Sequence, residues 1–179
     1  METNQHIQRE KIKHLYWRAG FGLNPEQWLE RREWSIDRAV GQLFGDLELA
    51  ETLEARFNPD RANSRMSRPD RSNAIRMERN LVSDITYNWI MRMGGKQTSS
   101  DLLEKMSLFW HGHFACRTKS SFFVGLQINV LRTHALGHFK DLLMAITKDA
   151  AMMRFLDNQY NRNISPNENF ARELLELFT

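Results

Sequence analysis

Phe109-Trp110-His111-Gly112-His113-Phe114 sets two imidazoles on either side of a glycine, with aromatic rings flanking both. Imidazole changes charge near neutral pH and is the commonest metal ligand. Burying two of them inside an aromatic run is costly unless their nitrogens find partners. The chemistry such a pair suits is proton transfer or the binding of a divalent metal. On a continuous helix, residues two apart point about 200° from each other and cannot hold one ion. Gly112, with Ala115-Cys116 soon after, would let the helix end here so that both rings face one site. The structural alternative has each histidine donating to a backbone carbonyl and packing on Trp110 and Phe114.

Other chemistry-bearing residues gather in the C-terminal half. His134 and His138 are four apart, the spacing of two-histidine zinc sites on one helix face. Gly137 between them breaks that helix, and a helix C-terminus is itself a sufficient reason for a histidine at 134. Asp149, Asp157, Glu168, Glu173 and Glu176 are the acids within reach of a shared site. Glu168, Arg172 and Glu176 fall at i, i+4, i+8, an ion-pair ladder if exposed and a polar network if buried; the buried network is favoured. Five asparagines (158, 161, 163, 167 and 169) crowd one loop and helix start. Turn and capping chemistry explains most of them, and the spacing is not that of a calcium loop. Cys116 reads as a thiolate beside imidazolium or as a buried free thiol, the latter favoured because no triad partner is evident. Trp17, Trp28, Trp34 and Trp89 read as core or interface packing.

The elements that must position these groups are helical throughout. Apolar residues recur with a helical period, and strand alternation is absent. Gln8 to Arg18 reads as a helix ending before the turn Ala19-Gly20-Phe21-Gly22. Asn24 caps the next, with Pro25 at its first position, and Ser35 caps Ile36 to Leu43. A helical stretch is expected over Asp46 to Arg56 and an exposed, arginine-rich loop over 58–73. Arg56, Arg61, Arg65, Arg68 and Arg71 straddle that loop with few aromatics between them, which argues for a solvated linker over a nucleic-acid surface. A long helix follows from Ala74 to Met93, closed by Gly94-Gly95. Thr98-Ser99-Ser100-Asp101 has capping-box spacing and opens the helix that carries the histidines. Further helices are expected over Phe122 to His134, His138 to Thr147 and Ala150 to Leu156, then an asparagine-rich loop over Asp157 to Pro166 and a last helix from Asn167.

The fold class is therefore all-α, an irregular bundle of eight to ten mostly short helices in one domain over 1–179. The apolar fraction of 41% supports a core, and no stretch approaches the roughly 20 apolar residues of a membrane span. A polar N-terminus and a single cysteine point to a cytoplasmic, reducing setting. The net charge of +3 is too small and dispersed for a committed nucleic-acid binder. The last helix ends on Leu177-Phe178-Thr179 without a glycine cap, so the chain reads as a fragment of a larger helical protein.

Several blocks carry a resemblance. They are His14-Leu15-Tyr16-Trp17-Arg18-Ala19-Gly20-Phe21-Gly22, Lys105 to Phe114, Leu131-Arg132 with His134-Ala135-Leu136-Gly137, Leu156-Asp157-Asn158, and Pro166 to Thr179. In order and wording they resemble the bacterial family known as domain of unknown function 1800. The resemblance implies an N-terminal portion of a longer protein and supplies no reaction. Many relatives look exported. Two functions follow. One is a site built from His111 and His113, with His134, Glu168, Arg172 and Glu173 brought near, holding a divalent metal as cofactor or running acid-base chemistry. In that reading His111, His113, Glu168, Arg172 and Glu173 are the catalytic candidates, and His111, His113 and His134 the metal ligands. The other is a non-enzymatic scaffold or interaction domain, whose partner is another protein or the remaining C-terminal part of the same chain.

Overall fold

The computed structural model describes residues 2–45, 52–54, 67–94 and 100–178, with side chains from residue 4 to residue 176. Its described residues form nine α-helices and no strand. No helix among them is long and apolar enough to cross a membrane. The chain divides into two compact units, Met1–Glu51 with Ile90–Met106, and Thr52–Trp89 with Ser107–Thr179.

In the first unit, α1 spans Glu2–Ala19, starting earlier than the apolar period suggests because the polar residues before Gln8 contain no helix breaker. The turn after it depends on two glycines. Gly22 has φ +94°, in the left-handed region, and a side chain at Gly20 would bring its Cβ 2.9 Å from Cβ of Asp101. Helix α2, Pro25–Arg31, is capped as expected. Asn24 Oδ1 accepts from Gln27 N–H, and Gln27 Oε1 accepts from Asn24 N–H, a reciprocal pair. Ser35 Oγ accepts from Arg38 N–H at the start of α3, Ile36–Gly45. Ile12, Tyr16, Ala39 and Leu43 form the core, with Trp28 and Trp34 packed against it. Trp17 is the exception, lying on the surface with its ring beside Gly22.

The long helix α4 spans Arg68–Met93, with all but its last four residues in the second unit. It starts six residues before the expected Ala74, so 68–73 are helix where a loop is expected. Pro69 is the reason: proline punctuates loops and also suits the first turn of a helix. Ser67 Oγ accepts from Asp70 N–H at 3.4 Å, the signature of a cap. The expected helix over 46–56 does not include its described part, since 52–54 are irregular. Leu53 is tied at both backbone groups to the amide of Asn129, which accepts from its N–H and donates to its C=O, each at 2.7 Å. The remainder of that stretch, residues 58–66, Gly95 and Thr98-Ser99 lie outside the described residues.

Helix α5 is Asp101–His113, α6 Ser121–His134, α7 Phe139–Thr147, α8 Ala150–Phe155 and α9 Asn169–Glu173. A single 3-10 turn, Asn158–Tyr160, and one isolated bridge between Arg162 and Ser165 order the asparagine-rich loop. After Glu173 the last helix widens into a π turn, Leu174–Phe178. Phe114, Leu131, Leu142, Ile146, Met152 and Leu156 make this unit's core, and Phe170 and Leu174 pack on it.

Candidate functional site

The histidine motif is helical to its end. Helix α5 continues through Gly112 to His113, so the expected break at Gly112 does not occur and the two imidazoles leave the helix on different sides. The reason lies in what the flanking residues do. Trp110 is half-buried and its Nε1–H donates to Ala135 O at 3.0 Å, while Phe114 is fully buried in the core. These two anchors hold the last turn in helical register, and Phe114 N–H still bonds Trp110 O at 2.8 Å.

His111 and Trp89 make a T-shaped contact, 5.3 Å between ring centres. Burial lowers its pKa below the ordinary histidine value, so the neutral imidazole is the native form at neutral pH. His113 stacks parallel to Phe109 at 6.2 Å and stands nearly perpendicular to the rings of Trp110 and Phe114. Phe109 and Leu108 stand on the outer face, 56% and 40% exposed. Phe139 opens α7 against the inner aromatic pair, 5.6 Å from the Trp110 ring and 6.4 Å from that of Phe114, and is also exposed.

The other site candidates fall as follows. His134 ends α6 half-buried, its carbonyl accepting from Gly137 N–H. His138 is exposed at the start of α7, so the two lie on different helices and do not share a face. Glu168, Arg172 and Glu176 are exposed, against the expected buried network. Arg172 donates to Asn169 Oδ1 at 3.1 Å and pairs with Glu173 at 3.9 Å. Widening to a π turn after Glu173 destroys the i, i+4, i+8 spacing on which the ladder rests. Among the described residues, no three groups of histidine, cysteine, aspartate or glutamate stand together as metal ligands. The asparagines act as turn chemistry: Asn167 N–H donates to Asn161 Oδ1, and Asn167 Oδ1 accepts from Asn169 N–H.

Two buried polar groupings carry no local sequence signal. Cys116 Sγ lies 3.1 Å from Gln127 Oε1, and Gln127 Nε2 donates to Asp149 Oδ1 at 3.4 Å. Burial pushes the Cys116 thiol up to about 11, so it stays protonated at neutral pH and is a poor nucleophile. Asp149 caps α8 by accepting from Met152 N–H, and burial raises its pKa. Glu78 on α4 accepts from both N–H and Oγ of Ser121, the first residue of α6, at 2.6 and 2.9 Å. A carboxylate at a helix N-terminus is favoured by the helix dipole. Its partner is 43 residues away, so nothing in its neighbours could reveal it.

What these features define is a helical protein with aromatic and polar clusters at helix junctions. Residues 14–179 match the family described as a protein of unknown function (DUF1800), and the chain belongs to it. No curated protein and no solved structure matches the chain.

Proposed function

We propose that this chain is a non-enzymatic interaction module, and that its Trp-His-Gly-His segment packs against an apolar helix of a protein partner. The observation that carries this is the outer face of α5. Leu108, Phe109 and Gly112 follow at i, i+1 and i+4 and are all exposed. Gly112 is the informative member. It sits inside a helix, where glycine costs about 1 kcal/mol relative to alanine. Nothing stands within 4 Å of where its Cβ would be, so the fold itself gives no reason for glycine. A partner backbone approaching closely at that point does. The rings of Phe109 and His113 would wall the resulting groove.

A photoreactive phenylalanine analogue at position 109, in the protein's native cells, tests this. A discrete cross-linked protein is expected, absent when the probe is moved to Arg76 and lost in Gly112→Gln. The metal reading has one supporting observation, the neutral, ligand-competent state of His111. Stoichiometric metal in purified protein, lost in a folded His111→Ala/His113→Ala variant, together with no cross-link at 109, would sink the interaction proposal and favour that reading.

A further inference from the structure

The first unit contains a stack that the histidine motif does not use. Tyr16, fully buried on α1, lies under the guanidinium of Arg31, which is 5.3 Å from its ring centre. The same guanidinium is 5.5 Å from the ring of Trp34, and on Trp34 lies a second guanidinium, that of Arg38, at 4.1 Å. Tyrosine, arginine, tryptophan and arginine thus form one ladder drawn from α1, the end of α2, the α2–α3 loop and α3. Its layers are fixed from several sides. Trp34 N–H donates to Arg31 O and Trp34 O accepts from Gln8 Nε2, at 2.9 and 3.0 Å. Arg31 Nη1 reaches Gln42 Oε1, which also accepts from Tyr16 OH.

The charges of this ladder do not balance locally. Glu33 is engaged by Arg9 and Arg32, and Glu30 lies 3.7 Å from Arg31. Arg38 enters none of the ion pairs among the described residues, with Asp37 beside it or with any other acid. Two guanidiniums on one indole repel each other. Arg31 directs its donors at Gln42 and Glu30, whereas the Arg38 side chain enters no hydrogen bond or ion pair among the described residues and keeps its guanidinium donors available to grip an oxyanion with paired hydrogen bonds. Arg38 is exposed and Arg31 is mostly covered, so the ligand would be met from the Arg38 side.

We propose that the Arg31–Trp34–Arg38 ladder is a binding site for an oxyanion, a phosphate or carboxylate group, held by the outward edge of Arg38 and charge-assisted by Arg31. The test titrates inorganic phosphate, and separately glutarate, into the full chain in chloride buffer at matched ionic strength, following tryptophan fluorescence. A saturable change with at least one of them is expected. Response to phosphate alone assigns a phosphate ligand, and response to glutarate alone a carboxylate. Arg38→Gln should weaken the response tenfold or more, while Arg18→Gln, at the exposed end of α1, leaves it unchanged. Should Arg38→Gln misfold, Arg38→Lys keeps the charge but loses the planar fork and should still bind several-fold more weakly. No saturable response to either ligand, or one that survives loss of the Arg38 guanidinium, overturns the proposal.

Discussion

Burial decides the chemistry of the two most suggestive side chains. His111 is neutral in the native protein because its charged form would be desolvated against Trp89 and its surroundings. The unfolded chain takes up that proton near the ordinary histidine value, the folded chain only at lower pH. In between, the unfolded state binds more protons, so stability present above the ordinary value is lost as pH falls through the window. The melting temperature should therefore drop on acidification from about pH 7 to about pH 5. In His111→Gln that drop should be smaller. An unchanged pH profile in the variant would show that His111 is not the group responsible. Cys116 gives a second residue-level expectation. Held as a thiol by burial, with a pKa of about 11, it should react with iodoacetamide at neutral pH far more slowly in the native chain than in denaturant. Equal rates would mean that the site is open. The one cysteine makes this a clean measurement.

At the scale of elements, glycine does opposite things in different places. Gly22 is left-handed and Gly20 abuts Asp101 and the carbonyl of Tyr16, so alanine at either should destabilise by about 1–2 kcal/mol. Gly112 is helical and open, so Gly112→Ala should stabilise by about 0.5–1 kcal/mol while crowding the proposed docking groove. Urea denaturation of the three variants checks both signs at once. The same contrast shows what the sequence discloses. Asn24-Pro25 and Ser35 announce helix starts because capping is done by neighbours in the chain. The start of α4 is masked because Pro69 is read equally well as a loop residue. The irregular path at Leu53 depends on Asn129, 76 residues away, and no local pattern contains that. The candidate site divides the same way. The histidine spacing is plain in the sequence, but the continuation of α5 through Gly112 is imposed by Trp110 bonding Ala135 and by burial of Phe114. These are tertiary facts, and they override a local preference worth about 1 kcal/mol.

At the scale of the whole molecule, the described residues include two apolar core clusters that share no residue, one around Ile12, Tyr16, Ala39 and Leu43, the other around Phe114, Leu131, Leu142, Ile146, Met152 and Leu156. Domains of this size are stable by only about 5–15 kcal/mol, so either cluster can be decisive. Ile12 and Ile146 are each almost completely buried in their own cluster. Trimming one methylene from either, Ile12→Val or Ile146→Val, should cost about 0.5–1.5 kcal/mol. Substitutions without shared partners add to within about 0.5 kcal/mol, whereas residues within one packed cluster couple through the cavity they share. Ile12→Val/Ile146→Val should therefore lose the sum of the single losses. Ile146→Val combined with Leu142→Ala, inside one cluster, should deviate from additivity. Urea denaturation of the two cycles, with the slope of each transition compared, measures this. A coupling between Ile12 and Ile146 above about 1 kcal/mol would show that the two clusters respond as one core.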